Sequence, residues 1–495
     1  MSSARYIAAL DQGTTSSRCL LFDKQGHVAS CAQQEIARAY PHAGWVQQDA
    51  TEIWASQLGV CAKALTQIGA VPEDIAGIGI TNQRETVIMW DKTTGAPVYD
   101  ALVWQCTRGS QIIEEVRQKI DEELIRQKTG LILDAYFSAS KIAWLLREVP
   151  GLYQRASKGE LLCGTVDTWL MWNLTGGAVH ATDVTNASRT MLFNIHTLAW
   201  DDELLELFDI PRVLLPEVKP SRGFFGRVNN ALLGTEIPLL GVAGDQQAAL
   251  FGQCCFESGE AKNTYGTGCF MLMNTGTRPV DSHKGLLSTI AYGDSSGVTY
   301  ALEGSIFNAG SAIDWLRDGL EMIRSADETQ RLALSVDDTN GCFVVPAFNG
   351  LGAPYWNKEA RGAIVGLTQG VSRAHVVRAT LESLAFQTHD VLRAMEQDAG
   401  VRLRSLRVDG GVSRNDFCMQ FQADILNKEV VRPRNTESTA LGAAFIAGLE
   451  AGFWKDQEEI RACAPEHDTF SPVLDQARRV DLLDGWKDAI RHVLV

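Results

Sequence analysis

Asp11, Gly13 and the hydroxyl run Thr14-Thr15-Ser16-Ser17 lie between two apolar runs, residues 6–10 and 19–22. Backbone N–H groups and hydroxyls in such a loop can face phosphate oxygens, and a carboxylate beside them can hold the hydration shell of Mg²⁺. The second run continues as strand, whereas a Walker or Rossmann glycine loop would open a helix. Neither GxxxxGK[ST] nor GxGxxG occurs in the chain. The segment therefore reads as a phosphate-binding hairpin. Tyr265-Gly266-Thr267-Gly268 and Asp409-Gly410-Gly411 are turns when taken singly. At strand ends, alongside the hairpin, they complete a cradle for ATP.

Thr81-Asn82-Gln83-Arg84-Glu85 places five hydrogen-bonding side chains in a row at the end of an apolar strand. Unpaired polar groups there are costly, so the cluster calls for a polar ligand. A small polyol suits it: Arg84 and Glu85 pair with adjacent hydroxyls while the flat ring of Trp104 covers the carbons. Asp245 has two readings, as a cap for the helix that begins near Gln246 or as the acceptor of a hydroxyl proton. Chain position does not separate them. In phosphoryl transfer the protein mainly positions groups and stabilises charge. Asp11 and Asp245 would then share the work, one toward the metal and one toward the proton.

Several elements must bring these residues together. Short β-like runs end at Asp11, at Thr81, at Gly244-Asp245-Gln246-Gln247, at Tyr265 and at Asp409, the pattern of a layered α/β fold whose ligands gather at strand ends. Residues 377–395 read as a helix, with apolar positions at three- to four-residue multiples and Gly400 to terminate it. Loops on either side of Asp245 suggest two halves facing across a cleft, domains 1–250 and 251–495, with any hinge in residues 244–259. No strict internal repeat is present.

Composition narrows the function classes. At 495 residues the chain exceeds what one core comfortably fills. The net charge of −15 disfavours nucleic acid and anionic lipid as partners. The eleven cysteines contain no C-x₂-C pair and read as buried free thiols, no apolar run suits a membrane span, and no secretory leader is evident, so a cytoplasmic address is expected.

Longer stretches carry a resemblance. Tyr136-Phe-Ser-Ala-Ser-Lys141-Ile-Ala-Trp144, together with Gly362-Ala-Ile-Val-Gly366-Leu367 and the following His375-Val-Val-Arg-Ala-Thr-Leu-Glu382, resembles the FGGY carbohydrate kinase family within the actin-like ATPase superfamily. The branch that phosphorylates glycerol is similar at residues 79–85, 103–106, 164–169, 186–191, 244–247 and 263–268. The resemblance implies an α/β protein of two ribonuclease-H-like domains that transfers the γ-phosphoryl group of ATP to the 3-hydroxyl of glycerol. It implies glycerol contacts at Arg84, Glu85, Tyr136, Asp245 and Gln246, an apolar wall of Trp104 and Phe270, and Asp245 as general base. ATP phosphates would meet Thr14, Thr15, Ser16, Arg18 and Thr267. Gly310, Asp314, Gly411 and Asn415 would line the nucleoside, and Mg²⁺ would be held by Asp11 through water, with Asp245 near it. A homo-oligomer is expected on the same ground.

Three departures stand out. Thr107-Arg108 replaces a pair of arginines common in relatives, and many relatives have an amide where this chain has Asp314. Glu236 occupies a loop where some relatives bind fructose 1,6-bisphosphate through arginine, so inhibition by that anion is expected to be weak. Residues 472–486 also differ from relatives that bind a sugar-transport regulator. The rival readings are a kinase for a larger polyol or ketopentose, and a non-catalytic module switched by ATP.

Overall fold

A computed structural model describes residues 4–434, 437–463 and 466–494. Its framework is two mixed β-sheets. The first contains β1 (Tyr6–Gln12), β2 (Ser16–Phe22), β3 (Val28–Glu35), β4 (Ile75–Asn82), β5 (Arg222–Arg227) and β6 (Pro238–Gly244), in the order β5-β6-β4-β1-β2-β3. The second contains β7 (Glu260–Tyr265), β8 (Cys269–Gly276), β9 (Leu287–Asp294), β10 (Gly297–Ile306), β11 (Ser405–Gly410), β12 (Val430–Pro433) and β13 (His467–Phe470), in the order β9-β10-β8-β7-β11-β12-β13. In both, an antiparallel hairpin extends to one side of the leading strand, and a parallel strand, β4 or β11, lies on the other. The two halves thus share a strand plan without sharing a readable sequence repeat.

The helices that matter to the site are α1 (Ala50–Gln67), α2 (Ser138–Glu148), α3 (Asp245–Gly252), α4 (Gly310–Asp314), α5 (Arg373–Ala399), α6 (Asp416–Leu426), α7 (Ser438–Glu450) and α8 (Gln476–Arg491). Helix α5 contains the segment expected from periodicity and stops at Gly400, whose left-handed φ of 63° a glycine adopts without strain. Half of residues 244–259, where the sequence places any hinge, is helix α3, whose Ala248, Ala249, Leu250 and Phe251 are all buried.

The halves are interleaved. Helix α7 comes from late in the chain, yet its Ala443, Ala444 and Ala447 share a core with Ile7, Ala9, Leu20 and Phe22 of the first sheet. It also crosses α3 at backbone contact. A Cβ on Gly442 would stand 1.8 Å from the Ala248 carbonyl oxygen, and one on Gly252 would stand 2.0 Å from that of Ser438. Only glycine at both positions permits this approach, which fixes the helix that begins with Asp245. Gly442→Val is therefore expected to destabilise the protein by about 3 kcal/mol or more, since neither backbone can retreat. Denaturant unfolding, with Gly223→Ala as a control at a position that has open space and no positive φ, measures the difference.

Candidate active site

Strands β1, β4 and β6 run parallel, with Asp11 opposite Thr81 and Thr81 opposite Ala243. Their carboxyl ends therefore deliver Asp11, the Arg84-Glu85 pair and Asp245 to one edge of the first sheet. Glu85 sits at φ 60°, a left-handed conformation held by a turn in which the Thr86 amide donates to the Arg84 carbonyl at 2.7 Å. Backbone strain of this kind in a non-glycine residue persists only where surrounding contacts fix it, and it concentrates at functional sites.

Those contacts are electrostatic. Arg84 donates to Glu303 at 2.5 Å and 3.3 Å, and its Nε lies 3.3 Å from Asp245. Arg189 donates from Nε to Glu85 at 2.7 Å and from Nη2 to Glu303 at 2.9 Å. Arg84, Glu85, Arg189 and Glu303 are each 3% exposed or less. Burial opposes the Glu303 carboxylate, but Arg189 and Arg84 outweigh it and hold its pKa at about 2. Asp245 has the opposite balance: desolvation pushes it up to about 6, with Arg84 only partly compensating. It is the first residue of α3, whose N-cap position is Gly244, and its carboxylate accepts from the first-turn amide of Gln246 at 2.7 Å.

The polar row on β4 is largely satisfied by protein. Asn82 donates to Asn186 at 3.0 Å and Gln83 to Gln48 at 2.9 Å, whereas the buried Thr81 hydroxyl has no hydrogen-bond partner among the described residues. The aromatic wall lies alongside. Trp104 meets Tyr136 edge to face at 5.6 Å, and its indole N–H donates to Thr14 Oγ1 at 3.0 Å, which ties the wall to the hairpin. The loop bearing Tyr136 is held by Lys141 at the start of α2. Its buried ammonium donates to the carbonyls of Ala135 and Tyr136 at 2.6 Å each and of Phe137 at 3.3 Å. Phe270 is half-buried on β8 and pairs across strands with Thr264 and Ser305, which puts it on the sheet face that carries Glu303. Lys262, on the same face, is wholly buried and donates to Gln246 and, at 2.9 Å, to Thr264. Desolvation lowers its pKa to about 8. Arg108 lies over Trp45 at 4.2 Å and Trp144 at 4.8 Å, so this arginine braces a neighbouring aromatic group.

In the second half, Tyr265 and Gly410 pair at the ends of the parallel strands β7 and β11. A cavity of about 840 Å³ opens there, lined by Gly266, Thr267, Gly310, Asp314, Gly411 and Asn415 among others. An added Cβ on Gly411 would meet open space, whereas one on Gly310 would stand 2.6 Å from the Gly266 carbonyl oxygen. The first glycine leaves room for a ligand, and the second permits the loop to pack on α4. Asn415 caps α6 through Cys418 N at 3.0 Å and donates to Thr329 at 3.0 Å. Asp314 is more than half exposed and pairs with Arg317 at 3.0 Å.

Arg18 joins the two sides. It donates to Asp11 at 3.1 Å through Nε and to Glu437, from the second half, at 2.6 Å through Nη1. Thr14 and Ser16 are half-buried and Thr15 is exposed. Among the described residues no group of three or more His, Cys, Asp or Glu could hold a metal alone. One or two carboxylates completed by water and phosphate are what Mg²⁺ commonly takes, so Asp11 and Asp245 fit that ion.

The structure thus gathers Asp11, Arg84, Glu85, Asp245 and Gln246 on one side, Trp104 and Tyr136 beside them, and Thr267, Gly310, Asp314, Gly411 and Asn415 around one cavity. Sequence reasoning assigned no role to Glu303 or Lys262, and named Arg189 only within a similar stretch. Their signal was present: a lone charge within an apolar strand run, as in Ala301-Leu302-Glu303-Gly304, must find a buried partner. Glu236 is exposed beyond the left-handed Gly234, and α8 of the carboxy-terminal stretch buries Trp486 against Phe386.

Two α/β halves, each with a loop rich in glycine and hydroxyls at the end of its leading strand, and a buried cluster of four charges between them fit the actin-like class of ATP-dependent phosphotransferases. Residues 6–252 match the N-terminal domain and 261–451 the C-terminal domain of the FGGY family of carbohydrate kinases. The chain belongs to this family. It is 59% identical over 490 residues to a glycerol kinase of Lachnoclostridium phytofermentans, covering 99% of this chain and 98% of that relative. It is 58% identical to glycerol kinase 1 of Clostridium tetani, with the same coverage of 99% and 98%. A crystal structure of Plasmodium falciparum glycerol kinase with ADP superposes with a TM-score of 0.94 at 38% identity, covering 100% of this chain and 99% of that one.

The geometry predicts that Asp245 titrates near pH 6, well above an ordinary aspartate. A ¹³C-carboxyl resonance that is lost in Asp245→Asn reports it directly. A midpoint near 4 would contradict the desolvated environment.

Proposed function

We propose that this protein transfers the γ-phosphoryl group of ATP to glycerol, forming sn-glycerol 3-phosphate and ADP, with Asp245 as general base. The observation that carries this reading is the 59% identity, over 99% of the chain, to a glycerol kinase. The buried charges beside Asp245 and the Trp104–Tyr136 ring pair support it. Arg84, Glu85, Tyr136, Asp245 and Gln246 would take the glycerol hydroxyls, and Trp104 with Phe270 would cover its carbons.

The step balances as follows. The 3-oxygen of glycerol forms a bond to the γ-phosphorus, the bond from that phosphorus to the β–γ bridging oxygen breaks, and its electron pair leaves with ADP. The hydroxyl proton passes to the Asp245 carboxylate. Arg84 stands beside this carboxylate and orients it, but its main partner is Glu303, so Asp245 keeps the basicity that desolvation gives it. Thr14, Thr15, Ser16, Arg18 and Thr267 would hold the phosphates, and Gly310, Asp314, Gly411 and Asn415 the nucleoside. Mg²⁺, held by Asp11 through water and approached by Asp245, would neutralise phosphate charge.

Domains 1–250 and 251–495 would close over both substrates and exclude water. The separate sheets support this division, while α7 keeps the halves connected. A homo-oligomer in the cytoplasm completes the proposal; among the described residues no helix is long and apolar enough to cross a membrane.

Product-identified turnover with Mg·ATP and glycerol, dihydroxyacetone, erythritol, xylulose, gluconate or no acceptor tests the reaction. Glycerol-dependent formation of glycerol 3-phosphate is expected; preference for a longer acceptor would replace the substrate, and acceptor-independent ADP release would favour a nucleotide switch. Asp245→Asn should lose turnover by about 100-fold or more while retaining ATP affinity. Trp104→Ala should weaken glycerol binding by about 1–3 kcal/mol, read from KM and direct titration.

A further inference from the structure

The four buried charges of the acceptor side are unevenly shared. Glu85 accepts its hydrogen bond on Oε1, from Arg189 at 2.7 Å, and Arg84 Nε lies 3.9 Å from the same oxygen. Among the described residues no hydrogen bond reaches Glu85 Oε2. Glu303 takes the rest: both terminal nitrogens of Arg84 and Nη2 of Arg189 point to it. It stands on β10 of the second sheet, whereas Arg84, Glu85 and Arg189 all belong to the first half of the chain. Directly behind it, a Cβ on Gly304 would stand 2.3 Å from Val391 of α5, so the strand is pressed against that helix and has little room to retreat.

We propose that Glu303 is a positioning residue for the phosphoryl acceptor: it draws Arg84 and Arg189 toward the second sheet and so leaves one oxygen of Glu85 open to a substrate hydroxyl. Without that charge the two guanidiniums have Glu85 as their shared buried carboxylate, and they close on both its oxygens. The proposal rests on the reading of Glu85 as an acceptor contact. It requires an effect on acceptor binding that is separate from the nucleotide side, because Thr267, Gly310 and Gly411 line another cavity.

Steady-state kinetics of Glu303→Gln and Glu303→Asp, each normalised to folded enzyme, provide the test. Glu303→Gln should raise the glycerol KM about tenfold or more while leaving the ATP KM within about twofold, the loss expected when a buried hydrogen-bonded charge is removed. Glu303→Asp keeps the charge on a shorter stem and should recover most of that loss, with a residual rise of about threefold. A purely structural role would instead reduce the active fraction and leave both KM values in place. A glycerol KM within about twofold of wild type in folded Glu303→Gln overturns the proposal, as does a parallel rise in the ATP KM. If Glu303→Gln does not fold, the Asp variant decides by the same criterion, an unchanged glycerol KM overturning it. If the wild type prefers another hydroxyl acceptor, the glycerol reading falls and the comparison is made on that acceptor's KM, so the two failures remain distinct.

Discussion

Placing two guanidiniums and two carboxylates where water does not reach is the constraint on which the rest of this structure depends. Each ion loses its hydration, and mutual attraction compensates only if signs alternate at hydrogen-bonding distance and the geometry is held from outside. Arg84, Glu303, Arg189 and Glu85 alternate in this way. One of the four comes from the second sheet. Separating the halves at this point would leave the buried Glu303 without its partners and take from Arg84 and Arg189 a carboxylate each, so relative movement of the halves is opposed here.

The same constraint explains the demands on the scaffold. Asp245 can stand 3.3 Å from Arg84 Nε only if α3 begins immediately at the end of β6. That start is fixed from behind, where Gly442 and Gly252 let α7 reach backbone contact with α3. Helix α7 is supplied by the second half but packed on the first sheet. The orientation of Asp245 thus depends on packing within the next two turns of its helix, and the Lys141 cage performs an analogous task for Tyr136.

The fold was legible where a local rule governs. The hairpin around Asp11 showed itself through hydroxyls between apolar runs, and α5 through its periodicity and Gly400. Asp245 was legible as a residue but not as a role, because cap and base share the same chain position; the structure makes Gly244 the N-cap residue and seats the Asp245 carboxylate on the Gln246 amide. The row from Thr81 to Glu85 overstated the ligand's share, since Asn82 and Gln83 find Asn186 and Gln48. Glu303 lies 219 positions from Arg84. No window of sequence contains such a pair, and the lone acid in β10 indicates only that a partner exists. The crossing of α7 onto the first sheet was hidden for the same reason, because it is a long-range packing choice.

The two sides of the site also differ in how they discriminate. The nucleotide cavity is shaped in part by glycine backbone, with open space over Gly411, and such a surface recognises shape and phosphate charge more than a particular functional group. The acceptor side presents desolvated ions already committed to one another, with an oxygen of Glu85 and the face of Asp245 remaining. An acceptor without a hydroxyl at Glu85 would leave that buried oxygen unpaired, which costs far more than a missing methylene would. On the proposed function, selection for a short polyol would follow from electrostatics, with the Trp104 and Tyr136 rings limiting length. The buried charge network that links the halves would in this way also be the element that selects the acceptor.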